Sequence, residues 1–350
     1  MGVRWVEVQS PWGRIQTGVQ RLRDETGREH SRRLDASLDS SGYTPWALER
    51  LMELAGRLPY EEAAELAQAF GLGVSPAGLA RLHAAYSERL AEAVHTHLAQ
   101  QAWTALAEGG GRLMVLEVDG VRVGGQPQPQ THTCEGIEIK CALVYPAHHP
   151  RARSRLAGVM TSEELLPRVA GLLRAAGVRA GDVLIGVSDG AVWIEQLYET
   201  LGIPQVIDVF HSSQYLEQVM QQLGWSEVER GQERALWLSG QIDAAVWLRT
   251  YCPPPTAPDR AQWSGEARGA LQYLEQRAER MHYPAYRARG WPIGSGQVEG
   301  MNKHVIGARM KRSGMQWSRP GASRTAAHRA QLCSSRPLVA FDTLRWEAFP

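Results

Sequence analysis

Lysine is scarce in this chain of 350 residues: it stands only at Lys140, Lys303 and Lys311, and arginine carries the remaining positive charge. The bias points to a GC-rich coding genome and says nothing of mechanism. Long apolar runs are missing as well. None approaches the roughly 20 residues a helix needs to cross a bilayer, so no membrane partner is expected. The opening "MGVRWVEVQSPWGR" lacks the apolar core of a secretory signal. Val6 stands where a myristoylation signal carries Ser or Thr. Cys134, Cys141, Cys252 and Cys333 are scattered, without the close pairs of a zinc ribbon. Reduced thiols and a cytoplasmic location are therefore expected. Net charge is only +1, which excludes a surface that is basic all over. Any nucleic-acid partner must be met by local patches. Hydrophobic content of 43% and charged content of 21% are ordinary for a folded protein, and the length suits two or three domains.

The pattern divides the chain. Residues 1–43 read as a polar, irregular segment, with "HSRRLDASLDSSGYTP" as a linker. Residues 44–108 are helical. A helix over about 60–70 ends at Gly71, and Ser75 with Pro76 forms an N-cap and first helical position. Two helices around a glycine-containing turn make a possible helix-turn-helix, and a plain helical hairpin fits as well. Arg81 and His83 either face DNA or are solvated. From Arg112 to about 212 strands and helices alternate: "RLMVLEVDGVRVGG" and "GIEIKCALVYP" as strands, "SEELLPRVAGLLRAAG" as a helix capped by Ser162, then "DVLIGVSDG", "AVWIEQLYETLG" and "PQVIDVF". That is a mixed α/β sheet. Residues 213–290 are mostly helical, a helix starts again near Gln297, and 336–350 form a tail.

Asp119 and Asp189 each follow an apolar strand and precede glycine. Strand ends are where open α/β sheets build sites. Carboxylates brought together there repel one another unless a cation lies between them. Mg²⁺ takes oxygen ligands and leaves room for phosphate, and Glu299, in a helix's first turn after "GSG", is the natural third ligand. The glycines at 294 and 296 would let the chain turn tightly. The plainer readings are an Asp-Gly turn for each aspartate and helix-dipole complementation for the glutamate.

The ordered set "LEVDGV", "GVSDGAVWI", "IDVFHSSQYL" and "GWPIGSGQVEGMNKHVIGARMKRSGMQWS" resembles bacterial insertion-sequence transposases with a DDE triad. The ISKra4 family is the nearest in its C-terminal block. The resemblance covers about residues 45–335 and implies a ribonuclease-H-like core (112–212 and 291–335) interrupted by a helical insertion (213–290). It matches Asp119, Asp189 and Glu299 to the three catalytic, metal-holding acids. Asp208 and His211 match an accessory Asp-x-x-His motif. It implies two Mg²⁺ (or Mn²⁺) ions per site, with Asp119 shared and Asp189 and Glu299 holding one each. It further implies double-stranded DNA as partner and a dimer or higher oligomer on paired ends. Relatives with cysteine-rich N-terminal segments differ from this chain, which has no cysteine before Cys134.

Asp208 and His211 orient a catalytic acid or contact DNA, or else form a structural hydrogen bond with Asp208 capping the next helix. No acid occurs between Gly300 and Ala340. Lys303, Arg309, Lys311, Arg312 and Arg319 are thus expected to face the DNA backbone, with Arg81 beside the helical turn. Trp317 either stacks on a base or packs. "HHPRARSR" is a second, weaker basic stretch. Three functions follow: an active transposase, a domesticated or inactive DNA-binding repressor, or a ribonuclease-H-like nuclease or resolvase.

Overall fold

In "GVRWVEVQS" Val6, Val8 and Ser10 fall on one side and Glu7 and Gln9 on the other, the period of a strand with one covered face. The computed structural model describes residues 2–10, 13–23, 26–27, 29–33, 42–127, 133–254, 256–341 and 344. Strands β1 (Gly2–Ser10), β2 (Gly13–Arg23) and β3 (Glu29–Arg33) pair antiparallel in that order. This corrects the expectation of an irregular start. A small sheet needs only one covered row, which a polar segment can supply; Val8 and Ser10 lie in it, buried. Half of the expected linker, 34–41, lies outside the described residues.

Helices α1 (Pro45–Arg57), α2 (Tyr60–Ala69) and α3 (Pro76–Gln101) follow. Ser75 caps α3 as its sequence predicts, its hydroxyl accepting from the Gly78 N–H at 3.1 Å. His83, expected to be solvated or DNA-facing, is instead buried in α3's apolar row with Leu79, Tyr86 and Leu90.

The main sheet has the order β6-β5-β4-β7-β8. Its strands are β4 (Ala107–Pro127), β5 (Cys134–Pro146), β6 (Ser154–Gly158), β7 (Arg179–Ser188) and β8 (Gln205–Ile207). β4, β5 and β6 form an antiparallel meander; β7 and β8 run parallel to β4. Helix α4 (Ser162–Ala175) links β6 to β7, and α5 (Val192–Leu201) links β7 to β8. A meander followed by two strands parallel to its first is the ribonuclease-H-like arrangement. Thr161 caps α4, in a capping box with Glu164, so Ser162 is the first helical residue and not the cap.

Helices α6 (Val209–Gln222), α7 (Glu227–Leu238), α8 (Ala244–Tyr251), α9 (Gly265–Arg277) and α10 (Tyr283–Ala288) form the insertion. The chain then returns through α11 (Gly296–Met301), a π-helical turn (Asn302–Gly307) and α12 (Ala308–Met310), and ends in α13 (Arg319–Leu332). α11 lies on β4 and β5. The alternation of β4 divides the core. Met114, Leu116 and Val118 face α3, α4 and α5; Val115, Val121 and Val123 face the insertion and α11. Two acids, Glu117 and Asp119, interrupt that second row.

Candidate active site

Asp119 lies within β4, opposite Cys141 of β5, and β4–β5 pairing continues past it in register to Gly124 and Gly136. The expectation that its strand ends there is corrected. What ends is the parallel neighbour. β7 stops at Ser188, and the last β4–β7 partners are Glu117 and Val187. Asp119 and Asp189 each follow that pair by two residues, so they stand side by side where the sheet opens.

Asp119 Oδ1 accepts from the Gly120 N–H at 2.7 Å, and Oδ2 from the Asn302 amide at 2.5 Å. Burial lifts the Asp119 pKa to about 6, and the charges of Asp189 and Glu299 push the same way, against those two hydrogen bonds. All three acids therefore act in one electrostatic field.

The insertion holds the Asp189 turn. Asp189 Oδ1 accepts from the Ala191 N–H at 2.9 Å, and the Tyr273 hydroxyl of α9 donates to the Asp189 carbonyl at 2.5 Å. Arg277 donates to the Gly190 carbonyl from Nε and Nη2 (3.1 and 2.9 Å) and pairs with Glu195 at 2.8 Å. Gly190 has φ +80°, and a Cβ there would lie 2.7 Å from Arg277 Nε, so glycine is required.

Glu299 projects from α11 with about half of its side chain exposed, its Oε2 3.9 Å from Lys303 Nζ. Two buried acids hold the chain leading to it. Asp208 caps α6, with Oδ1 accepting from the His211 N–H at 2.6 Å, while Oδ2 accepts from the Ser295 N–H (2.5 Å) and hydroxyl (2.8 Å). These contacts correspond to the helix cap and structural hydrogen bond weighed above. His211 contributes its backbone, and its ring lies 5.5 Å from Tyr215 and 6.1 Å from Tyr273.

Glu117 was absent from the expected site. It is fully buried, its Oε1 accepting from the Tyr145 hydroxyl and its Oε2 from the Val298 N–H at 2.7 Å. Burial lifts its pKa to about 7. The signal was present in "LMVLEVDGV": a period of two puts Glu117 on the face of Asp119, in an inward row. Asn302 was also overlooked, though a spacing of three puts it on the helix face of Glu299.

Neither Gly294 nor Gly296 takes a left-handed conformation, and a Cβ at Gly296 would meet nothing within 4 Å. The turn before Glu299 is thus set by the hydrogen bonds to Asp208, not by glycine freedom as expected. Among the described residues, no group of three or more His, Cys, Asp and Glu side chains stands as a ready ligand cluster. The donor chemistry nonetheless suits a hard divalent cation. The three side chains offer only oxygen, burial and then the charges of the other two raise Asp119, and the buried Asn302 Oδ1 beside them has no hydrogen-bond partner.

The basic segment is less open than its sequence suggests. Arg309 is 1% exposed; it donates to the Ala55 carbonyl at 3.3 Å and lies between the rings of Tyr60 (5.2 Å) and Trp317 (5.4 Å). A guanidinium so enclosed cannot meet a phosphate, so Arg309 leaves the DNA-facing set. Arg329 is also buried, bonded to the carbonyls of Val305, Gly56 and His304. Trp317 is half-buried, donates to the Met310 carbonyl at 3.0 Å and pairs its backbone with Gly124, so it packs. Arg312 binds Glu62 at 2.8 Å and Arg324 lies 3.4 Å from Glu88. Acids missing from the segment's own sequence are supplied by α2 and α3. Lys303, Lys311, Arg319 and Arg81 are exposed. In "HHPRARSR", Arg155 is buried against the Cys333 carbonyl and Arg153 donates to Gln297, which removes both from a free basic patch.

No helix among the described residues is long and apolar enough to cross a membrane. No family model matches the chain, and no curated protein matches it. Among solved structures it is similar to a Drosophila P element transposase strand transfer complex, at 11% identity and a TM-score of 0.31, over 82% of this chain and 78% of that one. A likeness of that size carries no chemistry, which rests on the residues themselves.

Proposed function

We propose that the chain is a DDE transposase of the ISKra4 type, which cuts the ends of a DNA element and joins the freed 3′-hydroxyls to target DNA. The observation that carries this reading is the convergence of Asp119, Asp189 and Glu299 on one electrostatic field where a ribonuclease-H-like sheet opens. The three acids would hold two Mg²⁺ or Mn²⁺ ions, which when bound activate the attacking oxygen and stabilise the leaving one. Asn302 and the Gly120 N–H fix the Asp119 carboxylate. Tyr273 and Arg277 fix the Asp189 turn. Positioning of this kind is most of what phosphoryl transfer asks of a protein.

The deciding experiment incubates the purified protein with labelled element ends, plasmid target and Mg²⁺. Joined products are expected. Cleavage without joining would make it a hydrolytic nuclease, and binding without cleavage a repressor.

Lys303, Lys311, Arg319 and Arg81 are the remaining candidates for phosphate contact. Each neutralised phosphate adds about 0.9 to the slope of log K against log salt. Lys311→Glu is therefore expected to weaken binding and flatten that slope by about 1. Arg312→Glu should change it less, because Glu62 already takes up that guanidinium. Equal slopes in wild type and Lys311→Glu would remove Lys311 from the interface.

A further inference from the structure

We infer that Glu117 is a positioning residue for the third acid: a buried tether that fastens the start of α11 to the strand bearing Asp119 and so sets where Glu299 stands. The inference rests on the catalytic reading of Asp119, Asp189 and Glu299.

Glu117 and Asp119 are two residues apart on β4 and point to the same face. Val298, whose N–H donates to Glu117 Oε2 at 2.7 Å, immediately precedes Glu299. One carboxylate thus links the first acid's strand to the third acid's peptide, 181 residues on. Its other oxygen is occupied by the Tyr145 hydroxyl from β5, so the side chain is held at both ends.

Geometry makes this tether hard to replace. α11 has six residues, too short to hold itself in place on its own hydrogen bonds. It is followed at once by the π-helical turn Asn302–Gly307, where the bonding pattern changes. The Asp208–Ser295 contacts secure the chain before the helix, and Asn302 secures it behind. Glu117 alone of these binds within the helix. An amide here could keep both contacts, accepting from the Val298 N–H while its NH₂ donates to a reversed Tyr145 hydroxyl, whereas an apolar side chain of similar size accepts from neither. Purely packing roles are served by apolar side chains elsewhere in the row, Val115 and Val121.

The test compares wild type, Glu117→Leu and Tyr145→Phe in three measurements: element-end cleavage with Mg²⁺, DNA binding without divalent ions, and amide hydrogen exchange. Displacement of a reacting group by about 1 Å costs about 10²-fold in rate. Glu117→Leu is expected to lose about that much cleavage, with unchanged DNA affinity. Its exchange should quicken across 296–301 and stay at wild-type protection in β4 and β7. Tyr145→Phe, which keeps the carboxylate and loses one partner, should fall between the two. It keeps the test sharp if Glu117→Leu fails to fold. Wild-type cleavage and exchange in either folded variant would overturn the tether. A wild-type protein that binds DNA but never cleaves would defeat the catalytic reading, while quickened exchange at 296–301 in Glu117→Leu would still report the tether.

Discussion

Asp119→Asn, Asp189→Asn and Glu299→Gln are each expected to reduce element-end cleavage by about 10³-fold or more while leaving DNA binding intact. Each amide preserves shape and removes the negative charge on which cation binding depends. Asp119 should show the clearest separation of chemistry from folding. Its carboxyl is raised from 3.8 to about 6, mainly by burial. A folded pKa above the unfolded one means that the folded state holds the proton longer. That contribution is present at low pH and is lost as pH rises from 3.8 through 6. At pH 8 the ionised Asp119 therefore costs the fold about 3 kcal/mol without a cation. Asp119→Asn should accordingly be at least as resistant to urea as wild type at pH 8, yet inert. Inactivity together with general destabilisation would point to misfolding. Wild-type cleavage by any one amide variant, in Mg²⁺ or Mn²⁺, would strike that residue from the triad.

Local pattern made much of this arrangement legible. The alternation in "LMVLEVDGV" marks a strand, Ser75-Pro76 marks the start of α3, and the order of strands and helices marks a mixed α/β sheet, which the resemblance alone made ribonuclease-H-like. Contacts between distant residues were not legible. Arg309 and Lys311 look alike in a basic run, but one is enclosed by Tyr60 and Trp317 and the other is exposed. Glu62 and Glu88 lie more than two hundred residues from the arginines they meet, so no window along the chain shows their compensation. Asp119 looked like a turn because Asp-Gly usually is one. The β5 partner that keeps the strand going is recognised only after pairing. Glu117 was readable from alternation alone, yet a lone acid in an apolar strand is easily passed over beside a second acid that carries a motif.

A buried histidine pair gives the second large effect, on acid stability. The Tyr60 hydroxyl lies 2.9 Å from His83 Nδ1, and His83 Nε2 lies 2.8 Å from His328 Nδ1. Only one proton fits between two ring nitrogens at that distance, so both rings cannot be charged together. Burial drives both pKa values down, His328 to about 3, and His83 is lowered further by His328, Arg309 and Arg324; Arg329 and Arg57 add to the effect on His328. In the unfolded chain both rings take up protons near 6.5. Their contribution is complete above 6.5 and falls as pH drops, by about 1.4 kcal/mol per pH unit for each ring. Glu117 and Asp119 have the opposite sign. Their folded values, about 7 and about 6, exceed the ordinary 4.5 and 3.8. They add stability as pH falls through those windows. Between about pH 6 and 4.5 two losses meet two gains, so the urea midpoint of wild type without divalent ions should be nearly level as far as these four groups decide it. Glu117→Gln/Asp119→Asn removes the gains, and its midpoint should fall over the same range, by up to about 4 kcal/mol of stability at pH 4.5 relative to pH 6. His83→Leu/His328→Leu removes the losses, and its midpoint should rise on acidification even if its overall stability is lower. Parallel pH profiles in all three proteins would mean that these buried groups do not titrate as their burial requires.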